Sequence, residues 1–212
     1  MDLVTTQSGD TVQLFAGDFP RVAKAITILA SVGALVIGTL LGKITKGAVT
    51  SAAKSGGNTG NGTLTPDATT PKLANAKAGI YTVRCVTAAS NGGTLRVTDP
   101  LGNVLGDVAV GGTFANQIKF ATADGSEDFI VGDGFDVTIA AGSGKYIPYD
   151  DDNVDGSEVA VLVLAEALES SDADQNTTAY QSGHFNSAAL TGLDAAARVD
   201  FEGTPIFIGT VA

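Results

Sequence analysis

The chain has 212 residues, 44% of them hydrophobic and only 17% charged, with 27 glycines and a net charge of −11. That is enough apolar content for a core, and many glycines with few charges favour short strands and tight turns over long surface helices. A single cysteine excludes an intrachain disulfide and a cysteine-based zinc site.

The charge is uneven. Residues 143–212 hold twelve acids against two bases, residues 49–142 eight against six, and residues 1–48 three against four. An acidic C-terminal part repels phosphates, which excludes nucleic acid as a partner. It suits a solvated face or a basic partner.

Residues 1–14 (MDLVTTQSGDTVQL) are polar with scattered β-formers and cannot form a core alone, so they read as a mobile arm. Ile26–Leu41 is an uncharged run of 16 residues behind Arg21 and Lys24. It is shorter than the roughly 18–20 apolar residues a membrane span needs. Its basic flank also lies too far into the chain for a signal peptide. Split by Ser31, Gly33 and Gly38, it predicts two strands, Val22–Leu29 and Leu35–Leu41, paired as a hairpin about a turn near Ser31–Ala34.

Residues 46–72 are rich in Gly, Ser, Thr and Asn and read as an entry linker or long loop. Strand patterns resume at Gly79–Ala88, Thr94–Thr98, Val104–Val110, Thr113–Thr122, Phe129–Val131 and Phe135–Ala140. That spacing predicts a small sandwich or barrel. Within Ile80–Val86, alternation puts Tyr81, Val83 and Cys85 on one face, so Cys85 reads as a buried thiol. Gly142–Gly144 reads as an exit linker. Lys145–Tyr149, Val159–Leu168, Thr177–Gln181, Gly183–Phe185 and Gly203–Val211 read as strands. Asn186–Phe201 is helical, with Asn186 and Asp194 as N-caps of two short helices separated by Gly192.

No catalytic motif survives inspection. Gly142-Ser143-Gly144-Lys145 fails as a phosphate loop, because Ile139 stands where a glycine is needed and Tyr146 follows the lysine. Asp150, Asp152 and Asp155 with Gly156 miss the calcium-loop spacing, since Gly156 falls seventh and Val161 twelfth. His184 follows Ser182-Gly183 without a nucleophile-elbow sequence and reads as a strand-end histidine. The chain is therefore read as a non-enzyme with no cofactor and no metal.

Two segments, one at each end, resemble the lambda-type bacteriophage head decoration protein family. The first is Phe15-Ala16-Gly17-Asp18-Phe19-Pro20-Arg21, continuing to Gly38–Thr45. The second runs from Lys145-Tyr146-Ile147-Pro148-Tyr149-Asp150 through Asp155-Gly156-Ser157 and Val159–Leu164. It goes on to Tyr180-Gln181-Ser182-Gly183-His184-Phe185-Asn186 and Phe201-Glu202-Gly203-Thr204-Pro205-Ile206-Phe207-Ile208. Together they cover about half of the chain, in order. The resemblance implies a capsid-stabilising virion protein on the outer capsid surface. It implies a homotrimer at local three-fold axes of the expanded shell, with an N-terminal arm that pairs with the major capsid protein. The arm residues so implicated are Leu3, Val4, Thr5, Thr6, Gln7, Val12 and Leu14. The central part has no counterpart in the smallest members and resembles an immunoglobulin-like β-sandwich.

The expected fold class is mainly β: a small β-barrel-like decoration domain with one or two short helices near the C-terminus, interrupted by an inserted β-sandwich module. The expected boundaries are 1–14 for the arm, 15–45 plus 143–212 for the decoration domain, and 46–142 for the module with its linkers, displayed outward. The expected partners are two further copies and the major capsid protein, with no membrane and no nucleic acid. The competing reading is a phage surface or tail adhesin, in which residues 46–142 bind a host-surface glycan.

Overall fold

The computed structural model describes residues 13–211. In chain order the strands are β1 (Val22–Ile28), β2 (Leu40–Lys43), β3 (Lys46–Ala53), β4 (Thr63–Pro66), β5 (Gly79–Ala89), β6 (Gly92–Thr98) and β7 (Val104–Ala109). Then follow β8 (Thr113–Ala115), β9 (Lys119–Ala123), β10 (Gly134–Ala141), β11 (Tyr146–Pro148), β12 (Ala160–Leu164), β13 (Gln175–Asn186) and β14 (Ile206–Gly209). A 3-10 turn, Ser187–Ala189, and one helix, α1 (Ala195–Asp200), lie between β13 and β14. The protein is mainly β, with one α-helix among the described residues, near the C-terminus, and it divides into two compact units.

The first unit takes the chain up to Lys43, Tyr146–Asp151, and everything from Val159 on. Strands β1, β11, β2, β12 and β13 follow one another around a closed barrel, and β1 completes the circle by pairing antiparallel with β13 from Val22↔Ser182 to Ile28↔Gln175. Closure leaves these five strands without a free edge between them. β14 adds in parallel to β13.

The barrel wall is apolar on both sides. Ile26, Ile28, Leu41, Leu162, Leu164 and Ala179 fill the inside. Leu40, Ala160, Val163 and Phe185 point to a second cluster with Ala197 of α1, Phe201 at its C-cap and Ile206 of β14. This explains why β12 reads as an unbroken apolar run: it is covered on both faces. A register shift between Ala160 and Leu162 turns Val161 out to solvent. The two expected N-caps are in place, with the Asn186 side chain accepting from Ala188 N–H and Asp194 accepting from Ala197 N–H.

The expected hairpin of β1 with β2 does not form. β11 lies between them, parallel to β1 and antiparallel to β2. Strand pattern alone does not choose a partner, and barrel closure supplies one from the far end of the chain. Leu35 is bridged instead to Leu168, and the second strand starts only at Leu40.

The second unit takes Ile44–Lys145 and Asp152–Glu158. An antiparallel sheet ordered β3-β10-β5-β6-β7 and a smaller one ordered β4-β9-β8 share one core. Tyr81, Val83 and Cys85 of β5 all point into it, as alternation requires. The Gly/Ser/Thr-rich segment 46–72, expected as linker or loop, carries β3 and β4. Its small residues suit an edge strand laid against β10 from Lys46↔Ala141 to Ala53↔Phe135. The single strand expected over Thr113–Thr122 is a tight hairpin, β8 with β9. Phe129–Val131 is not a strand: Phe129 is buried in a loop, held where Asp133 accepts from Ile130 N–H.

Lys46 and Glu158 form an almost fully buried ion pair in this unit, and the lysine also donates to the Ala74 carbonyl. The Asp155 carbonyl accepts from both Thr45 and Lys46 N–H. The acidic turn is thus tied to the start of β3.

Candidate interaction surface

The described chain begins against the end of β13. Ala16 N–H donates to the His184 carbonyl (2.9 Å), and Asn186 N–H donates to the Leu14 carbonyl (2.8 Å). The Asn186 side-chain amide donates to the Gln13 carbonyl (2.9 Å). Phe15 and Phe185 thus form an antiparallel bridge, on the side of β13 opposite β14. Phe15 packs edge-on to Tyr180 and tilted against Phe185, and the Arg21 guanidinium lies 4.3 Å from its ring centre. The root of the N-terminal segment is therefore a short piece of sheet fixed by backbone bonds and an aromatic cluster.

Of the arm residues named from sequence, Leu14 is in this root, half-buried against the outer cluster of the barrel. Leu3, Val4, Thr5, Thr6, Gln7 and Val12 lie outside the described residues.

A feature the sequence reading missed lies beside Leu14. Val36 and Ile37 are 58% and 48% exposed, although the pattern had placed them in a strand. Their backbone is pinned on both sides. Leu35 exchanges two hydrogen bonds with Leu168, Gly38 N–H donates to the Leu164 carbonyl, and Thr39 is bridged to Thr191. Gly38 has a positive φ of 87°, and a Cβ there would stand 2.3 Å from the Ala189 carbonyl oxygen. The chain therefore turns at Gly38 against the 3-10 turn and presents two β-branched side chains to solvent.

His184, Ser182 and Cys85 are each held in place by their surroundings. His184 sits between two glycines: a Cβ on Gly17 or Gly209 would come within 2.4 or 2.3 Å of its ring. Its cleft, about 420 Å³, is lined otherwise by Phe19, Phe207 and Ile208. The neighbouring Ser182 hydroxyl donates to the Pro20 carbonyl and accepts from Val22 N–H, so it is not paired with the imidazole. The Cys85 thiol is buried, its pKa pushed up by that burial, which suppresses the reactive thiolate. Among the described residues no helix is long and apolar enough to cross a membrane.

The first unit is thus a closed barrel with an ordered chain root and exposed apolar side chains on fixed turns. The model of the bacteriophage lambda head decoration protein D family matches residues 5–202, and the chain belongs to that family. Membership implies a structural role in decorating the phage capsid, association with that capsid and a place in the virion. No curated protein matches the chain. Two crystal structures of Xanthomonas campestris FlgL, in space groups H3 and C2, share 17% identity with it over 57% of its length, with TM-scores of 0.33 and 0.32. The matches cover 41% and 40% of those chains, so this protein spans about two fifths of their length.

Proposed function

We propose that the protein binds the outer surface of the expanded phage capsid as a homotrimer at local three-fold axes and stabilises the shell there. Its N-terminal arm adds as a strand to the major capsid protein through residues 1–12, with Gln13 and Leu14 as its root on β13. Residues 15–45 with 143–212 form the decoration domain, and residues 46–142 form an inserted immunoglobulin-like module carried as a passenger. The observation that supports this reading best is the ordered root of the arm. Three hydrogen bonds at Gln13–Ala16 lay this segment against β13, so the chain already makes strand contacts where the arm begins. Three such arms per trimer convert weak single contacts into firm attachment.

The test adds purified protein to undecorated expanded heads, as the full chain and with residues 2–12 removed. This truncation spares Leu14 and Phe15, which belong to the folded barrel. The full chain is expected to bind and to protect heads from disruption, and the truncated chain to lose most of its affinity. Equal decoration by both rules out the arm. Sedimentation of the free and head-bound protein tests the trimer, and a strict monomer in both states rules it out.

A further inference from the structure

We infer that the ledge formed by Val36, Ile37 and the facing Ala188–Leu190 turn is a second capsid contact, receiving an uncharged apolar segment of the shell protein next to the arm. This rests on the capsid-binding reading above and extends it from the arm to the folded barrel. The ledge borders a cleft lined by Leu14, Val36, Ile37, the Ala188–Leu190 turn and Thr191. Three observations single it out.

First, its chemistry is unlike its surroundings. Residues 30–39 and 186–193 contain no charged side chain, while residues 143–212 as a whole carry twelve acids against two bases. An uncharged apolar strip within an acidic domain fits an apolar partner and not a basic one. Second, the apolar pair is held rigidly. The backbone bonds of Leu35, Gly38 and Thr39 fix Val36 and Ile37 outward, so little ordering entropy is lost when a partner covers them. Among the described residues both side chains stay about half exposed, while seven of the other fourteen residues of Ile26–Leu41 are buried.

Third, position commits the occupant. Leu14, in the root of the arm, is itself one wall of the cleft. Leu14 is fixed to β13 by the bond its carbonyl accepts from Asn186 N–H, so a shell segment engaged by the arm is held beside the cleft. The arm therefore brings the shell to the ledge as a tethered, effectively concentrated ligand. The ledge then excludes water around the base of the arm, as near-neutral contacts around a binding hot spot do.

The test is a Val36→Ser/Ile37→Ser double variant of the full chain, assayed on undecorated expanded heads beside the parent and the 2–12 truncation. Thermal midpoint and sedimentation of each protein are measured alongside. The expected result is a loss of head affinity on the order of tenfold or more with sedimentation and midpoint unchanged. Should the double variant fold poorly, Ala188→Asp decides, because it alters the same surface from an exposed position on the opposite turn. Parental affinity in a folded ledge variant overturns the inference, and it leaves the arm reading standing where the truncation still loses binding. A ledge variant whose sedimentation changes overturns it too, since the ledge then meets a second copy. If the parent itself does not bind heads, the capsid-binding reading fails and the ledge contact falls with it.

Discussion

At the residue scale, a few side chains have no room for alternatives. Lys46 and Glu158 are buried together, so removing one strands a charge. Glu158→Ala is expected to destabilise the second unit by about 3 kcal/mol, while Lys46→Met with Glu158→Leu recovers most of the loss. Denaturant unfolding of the three proteins checks this, and a double variant no better than the single one contradicts it. His184 is confined by the absence of side chains at Gly17 and Gly209. Gly209→Ala is expected to cost roughly 1–3 kcal/mol by overpacking, and His184→Ala in the same chain to relieve it. Additive losses in that double variant would show that the ring is not what the glycine accommodates. Asp99 and Asp133 are pushed up by burial but pulled further down by their hydrogen bonds, Asp99 from Asn103, Lys77 and Leu101, and Asp133 from the N–H groups of Gly60, Thr59 and Ile130. Both carboxyls therefore titrate below their unfolded value. Their contribution is complete above that value, about 3.9, and is lost as pH falls through the depressed folded values. The unfolding midpoint of the second unit should be flat from about pH 8 to 5 and should fall below about pH 4. A midpoint that holds steady well below that range would show that the two carboxylates are not coupled to folding.

At the element scale, local chemistry was readable wherever a cap or an alternation decided the outcome. Asn186 and Asp194 cap their turns as their residue types demand. Asp194 also accepts from the Tyr149 hydroxyl, whose pKa is raised by burial and then by that carboxylate. Asp194→Ala should therefore cost about 1 kcal/mol or slightly more, read as a shift in thermal midpoint, while Asp194→Asn retains most of the cap. Pairing was not readable in the same way. Nothing in Val22–Leu41 says that Tyr146–Pro148 will lie between its two strands. Segment 46–72 looked like a linker because its residues are small and polar, yet the partner β10 is enough to make Lys46–Ala53 a strand. Val36 and Ile37 illustrate the reverse error. Two β-branched residues in an apolar run read as part of a strand, Leu35–Leu41, and the turn at Gly38 leaves them outside it and exposed.

For the whole molecule, two compact units with separate apolar clusters imply two cooperative transitions. Calorimetry should resolve them, with Glu158→Ala lowering one and leaving the other in place. A single transition displaced as a whole by that substitution would mean one folding unit. The composition and order of residues determined the class of this protein by themselves. Sparse charge, abundant glycine and period-two alternation lead to short strands, and the phrases at its two ends resemble a decoration protein, the family whose model matches the chain. Which strands became neighbours, and which apolar side chains were left for a partner, was decided only by the closing of the barrel. Strand pairing is settled by the backbone bonds and the burial that distant segments offer one another, and a local pattern holds no record of either.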